Sequence, residues 1–236
     1  MNSWQSLKWR GATMCFTVIS CLATAWPQEP AELQPVLNKM DQVAANFRTT
    51  QAAFVWNQYQ KVVDETDTQK GTVYFRRNGN EIQMAADIND PTSPKSVLFT
   101  DSRVEVFQPK IDQVTRYNTG KDRATVESFL VLGFGGSGRD LVKSFDVKYL
   151  GPEKVDGVDT AKLELVPKSP KVRNTFDRIW LWIDPTRGVS VQQQLFEPSG
   201  DYRLAKYSDI QLNQKIPDSA FKLKTTPKTK VVSPQG

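Results

Sequence analysis

The chain has 236 residues, 39% of them hydrophobic and 10% aromatic, enough for one domain with a substantial core. It contains no histidine, which excludes Ser/His/Asp and Cys/His catalysis and every zinc site built on imidazole. The formal charge of +5, which falls to +3 without Lys8 and Arg10, is too small and too dispersed to point to nucleic acid.

In chain order, residues 1–25 read as an export signal: Lys8 and Arg10, an uncharged stretch over 11–25, then Ala23-Thr24-Ala25. Cleavage there starts the mature chain at Trp26 and removes both cysteines, Cys15 and Cys21, and with them any disulfide or thiolate chemistry. Val18-Ile19-Ser20-Cys21 also resembles a lipobox, which would anchor the protein by a lipid on Cys21. The apolar residues after Cys21 make a poor tether, so a soluble product is the first expectation.

Residues 32–48 repeat Leu33, Leu37, Met40, Ala44 and Phe47 at helical spacing, with Pro35 tolerated in the first turn. From Ala52 the period changes to two. Six short segments rich in β-branched and aromatic residues follow, from "AAFVWNQYQKVV" to "QVTRYN", separated by turns such as Asn78-Gly79-Asn80. Residues 122–144 read as a helical pair broken by glycines.

That break, Gly133-x-Gly135-x-x-Gly138, has the spacing of a dinucleotide loop but the wrong context. After about one helical turn the chain enters antiparallel strands, with no room for a βαβ unit, so a hinge is expected instead. Five more strands follow, from "FDVKYL" to "YRLAKYSDIQLNQ". A tail from about residue 222, with Lys222, Lys224, Lys228 and Lys230, reads as solvated. The expected fold is mainly β: about eleven antiparallel strands in one strongly curved sheet, its concave face covered by an N-terminal helix and the central helical pair.

Carboxylates cluster at Asp64, Glu65 and Asp67 and at Glu153, Asp156 and Asp159, in apparent turns, where no acid/base pair or hard-cation site is expected. The apolar faces carry more information. Val73 and Phe75 share a face with Arg77; Ile82, Met84, Ala86 and Ile88 share one on the next strand, Phe54 and Trp56 on the first, and Trp180 and Trp182 on the ninth. A half-closed barrel with so few helical pieces encloses more volume than its side chains fill, so these residues are candidates for a cavity wall as well as for core. Arg77, a cation on an apolar face, must reach a lid's backbone or the rim.

The ordered set "GTVYFRR", "EIQM", "LFTDSRVEVFQP", "LVLGFG", "LELVP", "LWIDP", "FEPSGDY" and "YSDIQLN" resembles the LolA-like family of periplasmic outer-membrane lipoprotein carriers, over residues 31–227. The resemblance implies an unclosed antiparallel β-barrel with its helices as a lid over an apolar cavity. It assigns acyl chains to Phe54, Trp56, Val73, Phe75, Ile82, Met84, Trp180 and Trp182, and the lid to Phe129, Leu132 and Phe134. It also implies an arginine bonded to the closed lid, matched by Arg77, with Arg76 left open as the alternative.

The implied function is non-enzymatic and needs no cofactor, metal or nucleic acid. A monomeric periplasmic carrier would take lipoproteins from an inner-membrane ABC-type releasing complex to an outer-membrane acceptor, with free lipid as another cargo. The alternatives on the same fold are a lipid-anchored acceptor and a lipoprotein-sensing regulator. A regulator is expected to carry a further C-terminal domain, and the sequence runs only to Gly236.

Overall fold

The computed structural model describes residues 32–79, 81–100, 103–118, 120 and 132–234. The export signal, Cys21, Phe129 and the first helix of the expected pair lie outside these residues.

Helix α1 (Leu33–Asn46) leads into six strands, β1 (Thr49–Gln60), β2 (Glu65–Asn78), β3 (Glu81–Ile88), β4 (Lys95–Thr100), β5 (Arg103–Gln108) and β6 (Gln113–Asn118). Helix α2 (Gly138–Ser144) precedes β7 (Phe145–Val155), β8 (Val158–Pro167), β9 (Arg178–Asp184), β10 (Val189–Phe196), β11 (Tyr202–Leu212) and β12 (Lys230–Val232). All twelve form one sheet in the order β12-β6-β5-β4-β3-β2-β1-β11-β10-β9-β8-β7. The sheet ends at β12 on one side and β7 on the other, and among the described residues these edges do not pair, so the barrel is unclosed, as expected. The first eleven strands pair antiparallel, and the pairing of β1 with β11 joins the two meanders.

The curvature has local causes. Register shifts between Gln51 and Ala53 and between Ser190 and Gln192 insert bulges, which bend and twist a strand. At Gly71 an added Cβ would lie 2.0 Å from the Asp87 carbonyl oxygen and 3.0 Å from the Phe54 ring, so only glycine permits that approach of β2 to β3. The first strand ends at Gln60, earlier than its apolar pattern, because Asp64 turns the chain with φ 54°. Glu65 and Asp67 consequently stand on β2 and not in the turn.

Helix α1 buries Leu33, Val36, Leu37 and Met40 against Leu163, Leu165, Ile179, Leu181 and Ile183 of β8 and β9, all five fully buried. Ser137 caps α2 by accepting from the Asp140 backbone N–H at 3.0 Å. A Cβ on Gly138 would lie 2.5 Å from the Leu37 carbonyl oxygen, so this glycine seats α2 directly on α1.

The C-terminal segment differs from the expected solvated tail. Its lysines are exposed, but the 3-10 turn Asp218–Phe221 and Leu223 pack on Ala85 and Leu98 of the convex face. Strand β12 then pairs parallel to β6, beginning at Lys230 opposite Gln113. The basic residues concealed an apolar set, Ile216, Phe221 and Leu223, that finds the sheet.

A candidate binding cavity

Between the β1–β4 and β10–β11 parts of the concave face lies a cavity of 410 Å³. Period-two alternation sends Phe54 and Trp56 of β1, Val73 and Phe75 of β2, and Met84, Ala86 and Ile88 of β3 to its wall. Strands β10 and β11 add Gln193, Leu195, Arg203, Ala205 and Tyr207, and Phe176 leans in from the loop before β9. The wall is mainly apolar with few polar groups, the usual chemistry of a small-molecule pocket. Arg203 is neutralised by Glu197 at 2.9 Å, and burial pushes the Tyr207 phenol far above its ordinary pKa.

One end of the cavity is closed by residues 132–135. Phe134, 1% exposed, stacks on Phe75 with ring centroids 5.3 Å apart and meets Tyr207 edge-on at 4.7 Å. The backbone on either side is stitched to the barrel through its carbonyls. Gln193 Nε2 donates to Leu132 O, Ser190 N–H to Gly133 O at 2.8 Å, and Arg77 Nη2 to Gly135 O at 3.3 Å. The Arg77 guanidinium also lies 5.8 Å from the centre of the Phe47 ring.

The glycine spacing acquires its meaning here. Gly133 and Gly135 both have φ +80°, and Cβ atoms on them would lie 2.2 Å from Ser190 Cβ and 2.6 Å from the Phe47 ring. These glycines allow close seating of the loop. The expected free hinge at Gly135 is instead a packed position.

A family profile described as "Outer membrane lipoprotein carrier protein LolA" matches residues 45–224, which include every strand and loop of the cavity. The chain belongs to the LolA family. Among curated proteins none matches by sequence. An uncharacterised conserved protein from Thermus thermophilus is similar in structure, with a TM-score of 0.54 at 11% identity over 86% of this chain and 99% of that one. MucB is similar with a TM-score of 0.53 at 13% identity, over 86% of this chain and 66% of that one. The lipoprotein LppX of Mycobacterium tuberculosis gives 0.45 at 13% identity, over 78% and 98%. For the first two, at 11% and 13% identity, the likeness is one of fold.

On this LolA-family barrel, five of the eight residues predicted for the cavity line it: Phe54, Trp56, Val73, Phe75 and Met84. Ile82 shares their face but stands opposite Arg77, in a separate 230 Å³ pocket bounded by Leu132 and Gly135. Trp180 and Trp182 require correction. In β9 the inward residues are Ile179, Leu181 and Ile183, so both tryptophans face the convex side. There Lys162 Nζ lies 4.2 and 4.6 Å from their ring centres, and Trp180 Nε1 donates to Glu164 at 3.0 Å. The run Ile-Trp-Leu-Trp-Ile is apolar on both faces, so alternation alone does not tell inside from outside.

The choice between the two arginines is also decided by geometry. Arg76 points to the convex face, where it donates to Gln83 at 2.8 and 3.1 Å, pairs with Asp218 and covers the Phe221 ring at 4.2 Å. Arg77 alone of the two reaches the Leu132–Phe134 side. Sequence reasoning missed Gln193, Ser190, Tyr207 and Phe176; the Gln192-Gln193-Gln194 run inside a strand was the available signal for the first.

Proposed function

We propose that this protein is a non-enzymatic periplasmic carrier that shields the acyl chains of lipoproteins. In this reading it takes cargo from an inner-membrane ABC-type releasing complex and hands it to an outer-membrane acceptor. The observation that carries the reading is the apolar cavity closed by Phe134 on a loop held through its carbonyls. Such a closed state competes with cargo. Each buried methylene contributes ~0.8 kcal/mol and a charged hydrogen bond ~1.5–3 kcal/mol, so about two to four methylenes offset the Arg77 bond. A long chain therefore opens the cavity, yet the closed form remains near enough in free energy to return the cargo. No helix among the described residues is long and apolar enough to cross a membrane.

The test is mass spectrometry of organic extracts from protein purified out of the periplasm, followed by transfer of a labelled lipoprotein to outer-membrane vesicles. Copurifying acylated peptide and saturable transfer are expected. Extracts without any acylated species, together with no transfer, overturn the proposal. Intact mass separates the soluble carrier from an anchored acceptor, since the latter carries a diacylglyceryl adduct on Cys21, and light scattering checks the expected monomer.

A further inference from the structure

The two ends of the cavity differ in chemistry. Phe134 and Phe75 close one end with stacked rings. Towards the other end the same concave face turns polar, because the next cross-strand pairs of β1 and β2 are Trp56 with Gln69 and Gln58 with Asp67. These residues, with Lys95 of β4, bound a second compartment of 230 Å³. Trp56, Ile88 and Val97 belong to both walls, so the apolar cavity and the polar compartment run into one another.

The polar groups there are organised. Gln69 Nε2 donates to Asp67 Oδ2 at 2.8 Å, Gln58 and Lys95 are half-buried, and only Asp67 is exposed. Hydrocarbon laid against these carboxamides and the ammonium strips their water and leaves hydrogen-bonding capacity unused, which is unfavourable. Ester or amide groups at the same place restore hydrogen bonds to them. The carboxylate of Asp67 and the ammonium of Lys95 cancel, so the compartment has no preference for an anion such as a phosphate.

We infer that this compartment is the site for the neutral ester and amide linkage of an acylated ligand, and that it sets the direction of the cargo. The chain ends point to Phe134 and the polar head lies near the β1–β2 hairpin. The distance fits: from Phe75 to Gln69 is six residues of strand, about 20 Å, against the ~15 Å that half of a bilayer's hydrocarbon core gives one chain. The inference rests on the acyl-chain reading above.

Monoacylglycerol probes brominated either beside the ester or at the terminal methyl test it, read through quenching of Trp56 with the Trp56→Phe protein as baseline. Bromine beside the ester should quench Trp56 more strongly. Gln69→Leu should weaken the monoacylglycerol about fivefold to tenfold while leaving a plain alkane of equal length unchanged. An anionic phospholipid with the same chain should gain no advantage over the neutral ester. If the probes bind but terminal bromine quenches more, or Gln69→Leu weakens ester and alkane alike, the headgroup assignment is wrong and the carrier reading stands. If no acyl probe binds, both are wrong.

Discussion

The concave face presents apolar side chains in both halves of the sheet, yet the two halves do different things. Across β8 and β9 it is solid: Leu163, Leu165, Ile179, Leu181 and Ile183 have no exposed surface because α1 fills the space above them. Across β1–β4, β10 and β11, helix α1 has already ended, and among the described residues Phe47, Phe134 and Phe176 reach towards a 410 Å³ space. The difference teaches that one helix of fourteen residues is too short to fill the space above so broad a sheet, and beyond its end the described residues leave a cavity.

The sharpest way to break this comparison is to truncate one residue in each half. Leu181→Ala opens a void in packed core and should cost roughly 2–5 kcal/mol in urea unfolding, whereas Met84→Ala, facing a cavity already present, should cost about half of that or less. Equal losses would show that the two halves are packed alike. Next in size is Gly138→Ala, whose Cβ would push α2 off the α1 backbone at Leu37; a loss of about 1–3 kcal/mol is expected.

A smaller effect sharpens the picture of the loop that closes the cavity. Arg77→Leu removes one 3.3 Å charged bond to Gly135 and leaves the core untouched, so acyl-probe affinity should rise about tenfold with release slowed in proportion. Arg76→Leu is the control, because its partners Gln83, Asp218 and Phe221 lie on the convex face; affinity should not change. Wild-type release rates in Arg77→Leu would remove the latch from the mechanism.

The smallest effect at neutral pH belongs to Tyr207. Burial raises its folded pKa, so the stabilisation is complete below the unfolded tyrosine value of ~10 and is lost as pH rises above it. Tyr207→Phe should therefore match the wild type at pH 7 and unfold less steeply with alkali, measured by circular dichroism. Tyr74 and Tyr149, also raised by burial, keep some of the slope.

Much of the architecture was readable without coordinates, because strands and helices write their period into the chain. The α1 stripe, the eleven antiparallel strands and the inward alternation of Phe54, Trp56, Val73, Phe75 and Met84 follow from local pattern. So does the place of Arg77, a cation on an apolar face that keeps to the exposed rim while its Nη2 reaches the Gly135 carbonyl.

Tertiary structure decided what local pattern leaves degenerate. Trp180 and Trp182 alternate with Ile179, Leu181 and Ile183, and only the position of α1 determines which set is inside. Gln193 and Ser190 became holders of the 132–135 loop because β10 passes beneath it, a contact between residues about sixty positions apart. The tail looked solvated by charge, but Phe221 and Leu223 found Ala85 and Leu98 on a surface that exists only once the sheet has formed. A chain carries its own periodicities, whereas which face is covered, and by what, depends on elements distant in sequence.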